Sequence, residues 1–266
     1  MSNRRNIKLV LAYDGTDFHG WQSQRKNTGT DKTTGTDKTI QGIIEKALEK
    51  IHKEKISLTG AGRTDSGVHA REQTANFFSS IHSMEPSSFI PALNSLLPHS
   101  IRILEAEPAH DNFHARFDAI SRTYRYFFHS SKSANPWDLR YSWHLRYNPD
   151  LNLLNSYARL LSGEMDFSTF TAAGDMSKSR NRYIYGASFF HENNKLVFEI
   201  KANAFLRKMV RSLTGTLIHL EKENMTPDHF NEILLSKDRS RAGPTAPPQG
   251  LFLWKAEYQH KSLQRL

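Results

Sequence analysis

The chain of 266 residues contains no cysteine. Disulfides, thiolate metal sites and cysteine nucleophiles are therefore excluded outright, and the lack suits a reducing compartment. No apolar run approaches the length needed to cross a bilayer. Arg4 and Arg5 are followed by a short apolar run, Ile7 to Ala12, too brief for a secretory segment. A cytoplasmic protein without a membrane partner is expected. No glycine precedes Lys-Ser or Lys-Thr at the spacing of a phosphate-binding loop, even within the tandem Thr-Gly-Thr-Asp-Lys-Thr repeat at 28–39. A strand ending in Asp14-Gly15-Thr16 suggests a phosphoryl-transfer aspartate, but that chemistry needs a second Asp where Ala12 stands. Acidic residues are also in short supply. Against 36 Lys and Arg there are 27 Asp and Glu, for a net charge of +9. The excess is spread in pairs and triplets, which implies a basic folded surface and a polyanionic partner, nucleic acid first. A basic protein that is merely soluble would look the same by composition.

What is present centres on Leu58 to Ala70. Gly60, Gly62 and Gly67 punctuate this stretch, so it reads as a loop between an amphipathic run and an apolar one. Asp65 is its only carboxylate, and Arg63 lies two residues earlier. A neighbouring cation keeps a carboxylate ionised and oriented, and such a carboxylate can serve as nucleophile or base. Asp65-Ser66-Gly67 is equally ordinary turn chemistry. No second acid accompanies Asp65, which argues against a two-carboxylate hydrolase.

Around this loop the pattern predicts strands at Ile7–Asp14, Ile56–Leu58, Gln73–Ser80 and Ile101–Glu107. It predicts a helix over Thr39–Lys53, with Ile40, Ile43, Ile44, Ala47, Leu48 and Ile51 as its apolar stripe. A second helical stretch runs from Pro86 to about Leu97. The repeat at 28–39 has no apolar residue and reads as a loop extension that adds nothing to a core. His110 and His114 lie four apart, but Pro108 and the absence of helical patterning argue against a metal-binding helix, and no third ligand stands out. Two strand-like runs follow, Phe113–Phe117 and Ser121–Tyr126. The second sets Arg122, Tyr124 and Tyr126 on one face and Arg125 and Phe127 on the other. Lys178-Ser179-Arg180-Asn181-Arg182 sits beside Tyr183 and Tyr185, a combination suited to phosphate contacts and base stacking, or to a solvated loop. A helix is expected at Leu151–Leu161 and a hairpin across Asn193-Asn194. From Asn203 to Gly215 a further helix is expected, with Leu206, Met209, Val210, Leu213 and Leu217 on one face and Arg207 and Arg211 sharing another. Strands and helices in this mixed order are α+β.

Several of these runs resemble one family. Gly62-Arg63-Thr64-Asp65-Ser66-Gly67-Val68-His69-Ala70 is similar to the signature of the tRNA pseudouridine synthase A family, with Ser66 where many members carry Ala. Tyr13 to Gln22 resembles the family's opening. Phe113-His114-Ala115-Arg116-Phe117 with Arg122-Thr123-Tyr124-Arg125-Tyr126, Asp166 to Phe170, Phe205-Leu206-Arg207-Lys208-Met209-Val210-Arg211, and Ala246 to Leu253 resemble later signatures. The repeat insertion departs from the pattern, since that connection is usually shorter.

The resemblance implies two ferredoxin-like (RRM-like) halves with joined antiparallel sheets and a central active-site cleft. The first half, 1–112, would carry the Asp65 loop, and the second would be 113–266. The resemblance also implies isomerisation of uridine to pseudouridine at positions 38, 39 and 40 of the tRNA anticodon stem-loop, with no cofactor, by a homodimer. Asp65 would be the nucleophile, Arg211 its partner, Tyr124 the tyrosine packed on the base and Arg63 the residue that holds or displaces it. Leu251 would wall the base, and Arg122, Arg180 and Arg182 join Tyr124 as expected substrate contacts. A non-catalytic RNA-binding protein would share the basic surface.

Overall fold

A computed structural model describes residues 4–22 and 38–259. Among these the chain is mixed α+β, with strands paired mostly antiparallel. It divides into two compact units, Met1–Ile120 with Leu253–Leu266, and Ser121–Phe252. Most of the expected tandem repeat falls outside the described residues; Lys38 and Thr39, its end, fall inside.

The first unit is built from β1 (Arg5–Tyr13), α1 (Ile40–His52), β2 (Thr59–Gly60), β3 (His69–Ser79), α2 (Phe89–Leu96) and β4 (Ile101–Pro108). On β1, Ile7, Leu9, Leu11 and Tyr13 are buried while Lys8, Val10 and Ala12 are half-buried. That alternation puts one face of the strand on the core. β3 and β4 flank β1, both antiparallel to it. The helices cover the Ile7 face: Ile7 pairs with Phe77 on β3, and Phe77 meets His52 of α1 and Phe89 of α2. The stripe on α1 buries Ile40, Ile44, Ala47 and Leu48. Burying each of the larger three contributes about 1.5–3 kcal/mol. The Thr39 side chain accepts the Gly42 N–H at the helix start, and Lys53, at φ 58°, closes the end. Two expectations fail here. Ile56–Leu58 is not a strand; the two-residue β2 begins at Thr59. Phe113–Phe117 is a run of turns held by backbone bonds such as Phe113 N–H to His110 O.

The second unit holds most of β5 (Ala119–Ser130), and α3 (Pro136–Arg140), β6 (Trp143–Leu145), α4 (Leu151–Arg159), β7 (Gly163–Asp166), β8 (Asn181–Glu192), β9 (Lys195–Ala202), α5 (Met209–Lys222) and α6 (Pro227–Leu235); β10 (Leu251–Tyr258) follows them in the chain. Strand order is β5-β9-β8-β7, antiparallel throughout, with β6 parallel to β5. The β8–β9 turn is the expected one. Asn193 and Asn194 take φ of 49° and 60°, as a two-residue hairpin loop demands. α5 begins only at Met209, because Lys208 is left-handed at φ 60°. Leu206 is buried ahead of the helix, and Arg207 is not on the helix at all, so it shares no helical face with Arg211. The division of the chain also differs from a cut after residue 112. Ile120 still belongs to the first unit, and so does most of β10, which pairs with β3. Among the described residues no helix is long and apolar enough to cross a membrane.

Candidate active site

In the first unit the segment between β2 and β3 carries Asp65. Val68 N–H donates to Asp65 O at 3.2 Å, closing a turn around Gly67 at φ 76°. The turn that local pattern suggested is therefore real, and it is made by main chain. From below, β3 holds the loop: Ala61 N–H donates to Thr74 O at 2.8 Å, and Gln73 Nε2 to Gly62 O at 2.8 Å. From the side, Asp14 to Trp21 holds it. Trp21 N–H donates to Thr64 O at 3.1 Å, the Tyr13 and Thr64 hydroxyls lie 2.9 Å apart, and the Ser66 hydroxyl donates to Phe18 O at 3.0 Å. Gly15 N–H donates to Nδ1 of the buried His69 at 3.0 Å, and an Asp14 carboxylate oxygen lies 3.1 Å from the same nitrogen. A side chain at Gly15 would meet Val68 O, and one at Gly20 would meet Thr64 O. The two segments thus pack backbone to backbone, and Asp65 sits half-buried on a loop whose neighbours are fixed. Functional side chains are characteristically carried this way, on a loop positioned by a rigid scaffold. Tyr13, Gly20, Trp21 and His69 had no individual signal in the sequence beyond the two motifs that contain them.

Arg63 is exposed. Partial removal of its guanidinium from water, and then the nearby Arg116 charge, lower its pKa; an arginine so placed stays charged at neutral pH.

The second unit gathers a different set. On β5, Tyr124 is buried and meets Phe205 edge-to-face, with ring centroids 4.9 Å apart. Arg122 is also buried and donates to Asn203 O at 2.8 Å. On the first turn of α5, Arg211 Nε donates to Ala246 O at 2.9 Å, and Ala246 N–H returns a bond to Arg211 O at 3.0 Å. That exchange brings 246–251 against α5. Tyr126, two residues along β5 from Tyr124, donates to Pro247 O at 2.7 Å, and its ring lies where a side chain at Gly250 would stand. Burial raises the Tyr126 pKa strongly while the Arg211 charge pulls it down, so Tyr126 stays a neutral donor beside that cation. Leu251 is buried at the start of β10. Arg180 and Arg182 are elsewhere in this unit. Arg180 pairs with Asp175 at 2.7 Å, and Arg182 donates to Ser179 O at 2.9 Å. Burial lowers the Arg182 pKa, against the pull of Asp175. Tyr183 and Tyr185 stand exposed beside them, centroids 5.1 Å apart.

The first unit thus carries an aspartate on a loop tied down through its neighbours, and the second carries an arginine bonded through Nε and a buried strand tyrosine. The family model described as tRNA pseudouridine synthase matches residues 9–118 and 157–259, and the chain belongs to that family, whose members are isomerases. The matched segments take in Arg63, Asp65, Arg180, Arg182, Arg211 and Leu251; Arg122 and Tyr124 lie between them. The chain is similar to the protein named tRNA pseudouridine synthase A of Treponema denticola, 53% identical over 262 residues, covering 98% of this chain and 96% of that one. It is 49% identical over 244 residues to the protein of the same name from Treponema pallidum, covering 92% and 85%. It is 40% identical over 261 residues to that of Brachyspira hyodysenteriae, covering 96% and 98%.

Proposed function

We propose that this protein isomerises uridine to pseudouridine at positions 38, 39 and 40 of the anticodon stem-loop of tRNA, acting in the cytoplasm as a homodimer of two-halved, ferredoxin-like subunits. The observation that carries the proposal is the Asp65 loop, a family signature whose backbone is bonded to β3 on one side and to Tyr13–Trp21 on the other. The reaction detaches the base from its ribose at nitrogen, turns it and rejoins it at carbon. Substrate and product hold the same atoms in the same oxidation state, so the chemistry consumes no donor.

Asp65 acts as the nucleophile, ionised and preorganised. Arg211 is its cationic partner, oriented through Nε by Ala246 O. Tyr124 packs on the target base, Leu251 walls it, and Arg122 steadies the strand that carries Tyr124 by bonding Asn203 O. The target must leave its stack, which costs a few kcal/mol; Arg63 fills its place. Arg180 and Arg182 contact phosphate. Affinity comes mainly from dispersed cations, so it weakens steeply with salt.

The test is Asp65→Asn, nearly isosteric, assayed by tRNA titration at several salt concentrations beside pseudouridine formation. The variant binds at least as tightly as the parent, with the same salt slope, and forms no product. Isomerisation by the variant would remove Asp65 as nucleophile. A parent protein that binds tRNA and forms no pseudouridine would be a non-catalytic RNA-binding protein.

A further inference from the structure

A lone exposed phenylalanine is ordinary on a protein surface. Phe117, 74% exposed, is set apart by what holds it. It ends the 110–117 loop, which is tied down by a buried polar network. Asn6 and Asn76, 1% and 3% exposed, bond each other at 2.9 Å. Asn6 Nδ2 donates to His110 O and Phe113 O, both at 2.8 Å. Asn76 donates to Phe113 O and accepts the Ala115 N–H. The Tyr258 hydroxyl donates to Ala115 O at 2.7 Å. Buried polar networks specify one conformation when every member is bonded, so this surface loop is held as firmly as core.

The ring itself is propped. His114 stacks on it, centroids 4.3 Å apart and planes 29° from parallel. His114 Nδ1 accepts the backbone N–H groups of Arg116 and Phe117 at 3.2 and 3.3 Å, which fixes the imidazole plane. The Arg116 guanidinium stands over the ring, 5.5 Å from its centroid and within cation–π reach, and Phe117 is nonetheless 74% exposed. Arg116 is also close enough for its charge to act on Arg63, two residues before Asp65. A rigid aromatic ring with an arginine beside it matches a nucleotide, with a flat base for the ring and a phosphate for the cation.

We infer that Phe117, backed by His114, is a stacking platform for an unpaired base of the RNA, with Arg116 on the phosphate of the same nucleotide. This assignment rests on the RNA-modifying function proposed above and adds a binding subsite to it. The platform is distinct from the groups that act on the target uridine, and it fixes where the flanking strand runs.

The experiment uses the full chain and an unmodified anticodon stem-loop RNA. Phe117→Leu keeps the bulk and removes the π face; Phe117→Trp keeps the face. Leucine weakens binding about tenfold, the scale of one stacked base, and tryptophan restores it to within about twofold. Both variants unfold at the parent's temperature, since an exposed ring supports little of the fold. Arg116→Gln lowers the slope of log affinity against log salt by about 1. Parent-like affinity in Phe117→Leu, or equal weakness in Phe117→Trp, would overturn the platform. So would a change of oligomeric state in Phe117→Leu, which would make this face a contact between copies. A parent that forms no pseudouridine on the same RNA would sink the proposed reaction instead, and the affinity series would still decide the platform.

Discussion

Replacing Gly20 by alanine should lower both stability and turnover, and the structure separates the two causes. Gly20 has φ +84°, and a Cβ there would stand 2.5 Å from Thr64 O, 3.0 Å from Asp65 C and 3.1 Å from Ser66 N. All three are backbone atoms of the Asp65 loop, so no flexible side chain can swing away. To reach even 3.0 Å from Thr64 O, the two segments must part by at least 0.5 Å. The Trp21 N–H to Thr64 O bond, now 3.1 Å, lies across that opening. The backbone strain costs about 1–2 kcal/mol and the overpacking about 1–3 kcal/mol more. A shift of this size at a reacting group costs about tenfold in rate, scaling from the hundredfold that 1 Å can cost. Gly163 is the control. It has φ +100° with no atom within 4 Å of a built Cβ, so Gly163→Ala carries the strain without the clash. Urea midpoints and single-turnover rates on tRNA measure both. Parent-like turnover in Gly20→Ala, or an equal rate loss in Gly163→Ala, would refute the idea that the Asp14–Trp21 segment positions Asp65.

Arg211→Lys should cut turnover about a hundredfold or more, the scale of losing an oriented charge partner, with tRNA affinity kept. Lysine has no Nε to bond Ala246 O while a planar fork faces elsewhere; near-normal turnover would take Arg211 out of the chemistry. Asn76→Ala strips the bonds to Asn6, Phe113 O and Ala115 N–H from a buried site. It should cost about 2–4 kcal/mol by urea unfolding and weaken RNA binding by releasing the Phe117 loop. Asp175 carries a pH dependence. Burial works to raise its pKa, but bonds from Arg207 N–H and Ser177 and the Arg180 charge together hold it below the ordinary value. The unfolded chain then binds the proton first as pH falls, so its stabilisation is complete above the usual aspartate range, about pH 3.9. That stabilisation is lost as pH falls through the folded value. Asp175→Asn should therefore be less stable than the parent at pH 7, with the gap closing in acid; a gap that is constant down to pH 3 would contradict this.

What could be read from the sequence was what short-range physics decides. The Ile40–Leu48 stripe with Thr39 before it could only be a capped helix, and two asparagines between alternating runs could only be a tight turn. The Asp65 loop was legible because its motif is long. The failures are also physical. Leu206 to Leu217 keeps helical spacing, yet Lys208 adopts a left-handed conformation with no residue cue, and the helix starts after it. Ile56–Leu58 is apolar enough for a strand and too short to find a partner before β2. The 113–117 stretch looked strand-like because Phe, Ala and Phe alternate with charge; the buried asparagines that fold it into turns lie at Asn6 and Asn76, far off in sequence. α6 went unread, although Thr226 caps it by accepting the His229 N–H and Pro227 stands in its first turn.

The return of β10 to the first unit has a consequence for how the protein is made. β3, which carries His69 and Gln73 under the Asp65 loop, has β10 as a neighbour, and β10 begins only at Leu251, long after β3 ends at Ser79. Residues 121–252 form an uninterrupted unit, whereas the first unit includes residues 253 onward. Translation at roughly 5–20 residues per second leaves that edge of β3 unpaired for on the order of ten seconds. During that interval an open strand edge can capture a neighbouring nascent chain. The unit that holds the Asp65 loop waits for β10, and loss of that strand would leave β3, beneath the loop, as an exposed edge.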